Sequence, residues 1–194
     1  MNRKDKIIHE SLKLFSLKGF ISTSIQDIMT AAGVSKGGFY NHFKSKEELF
    51  HAVLRESQKN WRARCLFNLD QLARPIDQVR TLLMNYKDRY LKDTEHFPGG
   101  CIFITLSVEL DDQLPHLSTE INKGFIGLKR MINRLLLEAK EAGEVNAGVN
   151  TVNVTEMIFS GMLGASVIYG TDKSSENLDR TINCLIEYLN SLSR

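Results

Sequence analysis

The reading turns on the stretch Thr23-Ser24-Ile25-Gln26-Asp27-Ile28-Met29-Thr30-Ala31-Ala32-Gly33-Val34-Ser35-Lys36-Gly37-Gly38-Phe39-Tyr40-Asn41-His42-Phe43-Lys44-Ser45-Lys46-Glu47-Glu48-Leu49. Thr23 with Gln26 reads as a capping box opening a short helix whose Ile25, Ile28, Met29 and Ala32 share one face, and Gly33 ends it. Ser35 caps a third helix running through Phe43, and Ser45 with Glu48 makes a second capping box that opens a long helix to about residue 64. Two short helices separated only by Gly33-Val34-Ser35 form a helix-turn-helix, an arrangement that an ordinary bundle hairpin seldom shows.

Residues 36–43, placed at about 100° per residue, put Phe39 and Phe43 together on the face that packs against the preceding helix. Tyr40 and His42 then lie about 80° to either side, and Asn41 points away from the core. Such a helix suits a DNA major groove, where the outward face meets base edges and the flanks meet phosphates. Tyr40 and His42 are the expected phosphate contacts, and Asn41 can pair with an adenine edge. Gly37 and Gly38 let the helix backbone approach the bases because no Cβ intervenes. Lys36 and Lys46 add positive charge beside the same groove, and the helix N-termini near Thr23 and Lys46 offer backbone N–H groups to phosphates.

With their spacing, the segments 23–28, 31–43 and 44–49 resemble the TetR/AcrR family of bacterial regulators over roughly residues 5–50. The resemblance implies a ligand-responsive repressor: a homodimer whose two helix-turn-helix heads sit on a palindromic operator until a small-molecule inducer binds the other domain. It also implies DNA contacts at Thr23, Lys36, Gly37, Tyr40, Asn41, His42 and Lys46. Many relatives carry a hydroxyl residue where Gly38 stands, so one base-reading side chain is missing here.

Outward from this stretch nearly every segment keeps helical period and no run of strand alternation is bounded by hairpin turns, which makes the expected fold all-α. Upstream, Ile8, Leu12 and Phe15 line a helix that stops at Gly19. Downstream, helices are separated at 97–100, 111–115, 142–150 and 170–175. The expected organisation is a three-helix DNA-binding domain over residues 1–47 and a larger helical ligand-binding and dimerisation domain over 48–194. The last two helices repeat apolar residues at coiled-coil-like spacing: Val154, Ile158, Gly161, Ala165 and Ile168, then Leu178, Ile182, Leu185 and Leu189. These residues are the expected dimer interface, with an intrachain core as the competing reading. Trp61, Tyr86, Tyr90, Phe103, Glu109 and Phe125 are candidates for an inducer site between helices, each with an ordinary core or surface role as the alternative.

Net charge is only +2, but residues 1–64 hold twelve Lys/Arg against six Asp/Glu, leaving thirteen against seventeen in the rest. A basic end on a mildly acidic body suits a partner that is a polyanion, here double-stranded DNA. The charged start, without an apolar h-region, and the expectation that no stretch is long enough to cross a bilayer place the chain in the cytoplasm, with no membrane partner. Cys65, Cys101 and Cys184 show neither a disulfide framework nor zinc spacing, and Glu109, Asp111 and Asp112 lack further metal ligands. Cys101, near an expected helix start, is either a small buried hydrophobe or a redox-sensitive thiol. No Gly-rich phosphate loop, GxSxG, HExxH or Cys/His dyad is present, so no enzyme, catalytic residue, cofactor or metal is expected. A helical adaptor that binds protein through the same head is the remaining alternative, and the Lys36, Tyr40, His42, Lys46 rim argues against it.

Overall fold

The computed structural model describes residues 1–193 of the chain, and among the described residues there are helices and no strands. In order these are α1 Arg3–Lys18, α2 Ile25–Ala32, α3 Lys36–Tyr40, α4 Lys46–Cys65, a 3₁₀ turn Leu69–Gln71, α5 Pro75–Asn85 continued by a π-helical segment Tyr86–Leu91, α6 Ile102–Leu110, α7 Pro115–Glu141, α8 Thr151–Asp172 and α9 Ser175–Ser191. The breaks expected at 97–100 and 142–150 fall between helices, whereas α7 already begins at Pro115 and α8 runs on to Asp172, past the Gly170 at which a break was expected. Pro75 stands in the first turn of α5, where its missing N–H leaves no helical bond unmade.

Helix boundaries near the decisive stretch differ from the sequence reading in three places. The capping box of α2 is Ser24 with Asp27: the Asp27 N–H donates to Ser24 Oγ at 3.0 Å and the Ser24 N–H to Asp27 Oδ2 at 2.9 Å. Both Thr23-x-x-Gln26 and Ser24-x-x-Asp27 fit a box, and the one whose hydroxyl is free of the interior forms it. The third helix ends at Tyr40 rather than Phe43, although Asn41 keeps helical backbone angles. At α4, Ser45 Oγ accepts the Glu48 N–H at 3.1 Å, while the Glu48 carboxylate takes the Lys44 N–H at 2.7 Å instead of that of Ser45. On α1 the innermost isoleucine is Ile7, with Leu12 and Phe15, and Ile8 is half-buried.

The chain divides into two compact units that cross its linear order. The first joins Met1–Asn60 to Asp93–Ile121; the second joins Trp61–Lys92 to the chain from Asn122 onward. In the first, Phe15, Phe20 and Phe50 stack edge to face in series, with ring centroids 5.4 and 5.3 Å apart. The buried Phe39 and Phe43 fasten the end of the helix-turn-helix.

In the second unit, α8 and α9 pack along their length. Val154, Ile158, Ala165, Leu178, Ile182, Leu185 and Leu189 are all buried within the single chain, and a Cβ on Gly161 would meet Leu185 Cδ2 at 2.6 Å. Packing within the chain thus accounts for the burial of these residues, as the intrachain-core reading of the seam expects, whereas Ile168 is 46% exposed. A regular apolar repeat specifies that a helix has a neighbour, not which chain supplies it. α8 also corrects the expectation about bilayers: its 22 residues are long and apolar enough to span one. Ile158, Met162 and Ala165 use that apolar character inside the fold.

Candidate nucleic-acid interface

α3 is opened by Ser35, whose hydroxyl accepts the Gly38 N–H at 3.2 Å. Phe39 is fully buried and anchors the helix from below; its ring meets Tyr40 edge-on at 5.3 Å and Phe43 at 6.0 Å. The remaining residues face solvent: Lys36, Gly37 and Asn41 are exposed, Tyr40 is 44% exposed, and Gly38 and His42 are half-buried. A Cβ built on Gly37 meets no atom within 4 Å, and one on Gly38 makes only ordinary contacts with Ser35 and Val34. Gly33, which turns α2 into α3, has φ +63° and does need glycine for its backbone. Gly37 and Gly38 have no such internal reason.

Thr23 and Lys46 occupy other positions than the sequence suggested. Thr23 is fully buried and its hydroxyl donates to the Gly19 carbonyl at 2.6 Å, so it offers nothing to an external phosphate. The exposed hydroxyl residue at the start of α2 is Ser24, one position on.

The Lys46 ammonium donates to the carbonyls of Phe20, Thr23 and Ile21 at 2.9, 3.0 and 3.4 Å and sits 4.3 Å from the centre of the Phe20 ring. Three N–H groups thus have three acceptors. Burial pulls this ammonium below the ordinary lysine value, and the Glu109 carboxylate works in the opposite direction. Lys44, which the sequence reading did not single out, is exposed beside the start of α4.

Glu109, one of the inducer-site candidates, accepts hydrogen bonds from the backbone N–H groups of Phe20 and Ile21 at 2.5 and 2.9 Å. Phe103 shares α6 with it and is half-buried. The other four candidates belong to the second unit. Tyr86 and Tyr90, both buried in the π-helical segment, stack with ring centroids 5.8 Å apart, and the Tyr86 hydroxyl donates to the Met162 carbonyl at 3.3 Å. Phe125 on α7 meets Phe159 of α8 edge-on at 5.4 Å, and Trp61 is half-buried near the end of α4. Cys101, at the N-cap of α6, is buried.

The model of the bacterial regulatory proteins of the tetR family matches residues 7–53, and that of the tetracyclin repressor-like C-terminal domain matches residues 75–185. The HTH-type transcriptional repressor DhaR of Mycobacterium sp. (strain GP1) is 26% identical over 187 residues, 96% of this chain and 91% of that protein. The uncharacterized HTH-type transcriptional regulator YerO of Bacillus subtilis is 55% identical over 47 residues, 24% of this chain and 16% of that protein. A crystal structure of a TetR transcriptional regulator from Chloroflexus aurantiacus superposes with a TM-score of 0.90 at 25% identity, covering 99% of this chain and 96% of that one. With a head built to present α3 and sequence matches over both parts of the chain, this protein belongs to the tetR family of DNA-binding transcription regulators.

Proposed function

We propose that the chain is a ligand-responsive transcriptional repressor that binds a palindromic operator as a homodimer and is released by a small-molecule inducer. The observation that carries the DNA-reading part is the outer face of α3. Gly37 has open space where a side chain would stand, and Lys36, Tyr40 and Asn41 are exposed around it. A glycine inside a helix weakens it by roughly 0.5–1 kcal/mol relative to alanine. With no internal contact requiring its absence of side chain, the close approach of an external surface is its physical use, and a major-groove floor is such a surface.

In this reading Asn41 meets a base edge, Tyr40 and His42 meet the flanking phosphates, and Lys36, Lys44 and Ser24 extend the phosphate contacts. Repression as the sense of control follows DhaR, which is named a repressor. The homodimer is supported by a stripe on α8 that the chain leaves uncovered: Met157, Val167 and Ile168 are exposed, and Gly164 has nothing within 4 Å of a built Cβ. The half-buried Trp61 and Phe125 supply aromatic surface for an inducer in the second unit, with the buried Tyr86 and Tyr90 in the core of the same unit. Inducer binding favours a dimer whose heads no longer match successive major grooves, with α4 as the lever. The cytoplasm, where the operator is, is the proposed location.

The test is a footprint of the purified chain on DNA upstream of its own gene and its neighbours at low salt, repeated with fractions of cell extract. Protection that a fraction removes is the expected result and leads to the inducer. No protection on any of these duplexes overturns the reading.

A further inference from the structure

We propose that Glu109 is a positioning residue for DNA binding, acting with Lys46 as a clamp of two opposite charges on the backbone that joins α1 to α2. The inference rests on the DNA-binding reading of the head and adds to it a residue from α6. The joint must end α1 at Gly19 and start α2 at Ser24 within a few residues, leaving backbone groups that neither helix can satisfy. Glu109 accepts the N–H groups of Phe20 and Ile21; Lys46 donates to the carbonyls of Phe20, Ile21 and Thr23. Thr23 supplies its hydroxyl to the Gly19 carbonyl, and the Gly19 N–H returns to Phe15. A carboxylate holds the donors, an ammonium holds the acceptors, and each charge offsets the other.

Two glycines show how closely the segment around α6 is applied to α1. Gly19 has φ +80°, and a Cβ there would overlap the Glu109 carboxylate. Gly99, in the loop before α6, donates its N–H to Ser16 Oγ at 3.0 Å, and a Cβ there would run into the backbone carbonyl of Ser16. α6 is thereby tied to the last turn of α1 at one point and to the joint after it at another, all within the first compact unit.

A carboxylate in a head that binds a polyanion is repulsive unless its charge is matched, and Lys46 matches it. Lys46 therefore orients the start of α2, including the exposed Ser24, instead of neutralising a phosphate. Glu109 reaches DNA only through this joint.

The experiment measures binding of the full-length chain to a short, fluorescently labelled duplex of random sequence over a range of salt, with thermal melting alongside. Glu109→Gln keeps the size of the side chain but replaces one acceptor by an amide donor and removes the charge. It is expected to weaken binding about tenfold at temperatures where the variant is fully folded, with the slope of log affinity against log salt unchanged. Lys46→Gln is likewise expected to weaken binding at unchanged slope, whereas Lys36→Gln reduces the slope by about one unit. The Glu109→Gln/Lys46→Gln double variant loses less than the two single losses combined.

Glu109→Gln binding as tightly as the unmodified chain overturns the proposal, and so does a slope reduced by about one unit in Lys46→Gln. An unmodified chain that fails to bind the duplex at low salt overturns the DNA reading itself, which separates the two failures. Should Glu109→Gln not fold, amide exchange in the unmodified chain decides: the Phe20 and Ile21 N–H groups are expected to be protected, more so with the duplex bound. Exchange of either at the rate of an unstructured peptide overturns the clamp.

Discussion

α3 and the α8–α9 pair look alike in the sequence, as short-period patterns with small residues at regular places, and they use those residues in opposite ways. Gly161 on α8 is small because Leu185 of α9 fills the space beside it. Gly37 on α3 is small with nothing beside it. The apolar seam of α8 and α9 is closed within one chain, whereas Tyr40 and Asn41 remain uncovered after the chain has folded. A residue type that internal packing explains is a property of the fold; one that packing leaves unexplained points to a partner.

The largest effect is expected at Ile182 of α9, which is fully buried. Ile182→Ala is expected to reduce stability by about 2–5 kcal/mol, read from the denaturant midpoint, because the cavity opens in the intrachain core. Ile168→Glu, on the exposed side of α8, is expected to leave helical content intact and convert a dimer to monomers in analytical ultracentrifugation. A dimer that survives Ile168→Glu would move the protomer contact elsewhere.

Asn41→Ala, at an exposed position, is expected to leave the melting temperature nearly unchanged while losing about 1–3 kcal/mol of discrimination at one operator base pair. Competition between duplexes substituted at single positions reads this directly.

Gly37→Ala sharpens the contrast because its two effects have opposite sign. Alanine fits the open space and is expected to raise stability by about 0.5–1 kcal/mol, while operator affinity falls because the added methyl stands between the helix backbone and the bases. A variant that is both more stable and equally tight on DNA would remove the reason offered for the glycine.

The smallest effect concerns the cap of α2. The backbone and side-chain hydrogen bonds of Ser24 hold the Asp27 carboxyl below its ordinary value. A lowered folded-state value means that this contribution to stability is fully present above the unfolded aspartate value of about 3.9 and is lost as pH falls through the folded one. Asp27→Asn is therefore expected to lower stability at neutral pH and to flatten its dependence on pH in acid. Unchanged acid dependence in the variant would take the cap out of this account.

The head was the most legible part of the molecule. Ser35 before Lys36, Gly33 between two short helices, and Phe39 and Phe43 on one face are local signals, and local hydrogen bonds and turns make the structure they announce. Pro75 and the breaks at 97–100, before Pro115 and before Ser175 placed the later helices for the same reason. Lys46 and Glu109 were not legible in their present roles. Their partners are backbone groups of Phe20, Ile21 and Thr23, which no side-chain pattern advertises, and Glu109 lies 88 or more positions from the amides it binds.

What the amino-acid sequence determined by itself was the helical class, the helix-turn-helix and the sidedness of α3, because side-chain period and capping act over a single turn of chain. Tertiary structure alone decided that Thr23 is interior and Ser24 exposed, that Lys46 faces carbonyls, and that the apolar residues of α8 and α9 are buried within one chain. A seam or a long charged side chain carries a preference for a kind of partner. Which partner it receives depends on elements brought together from distant parts of the chain.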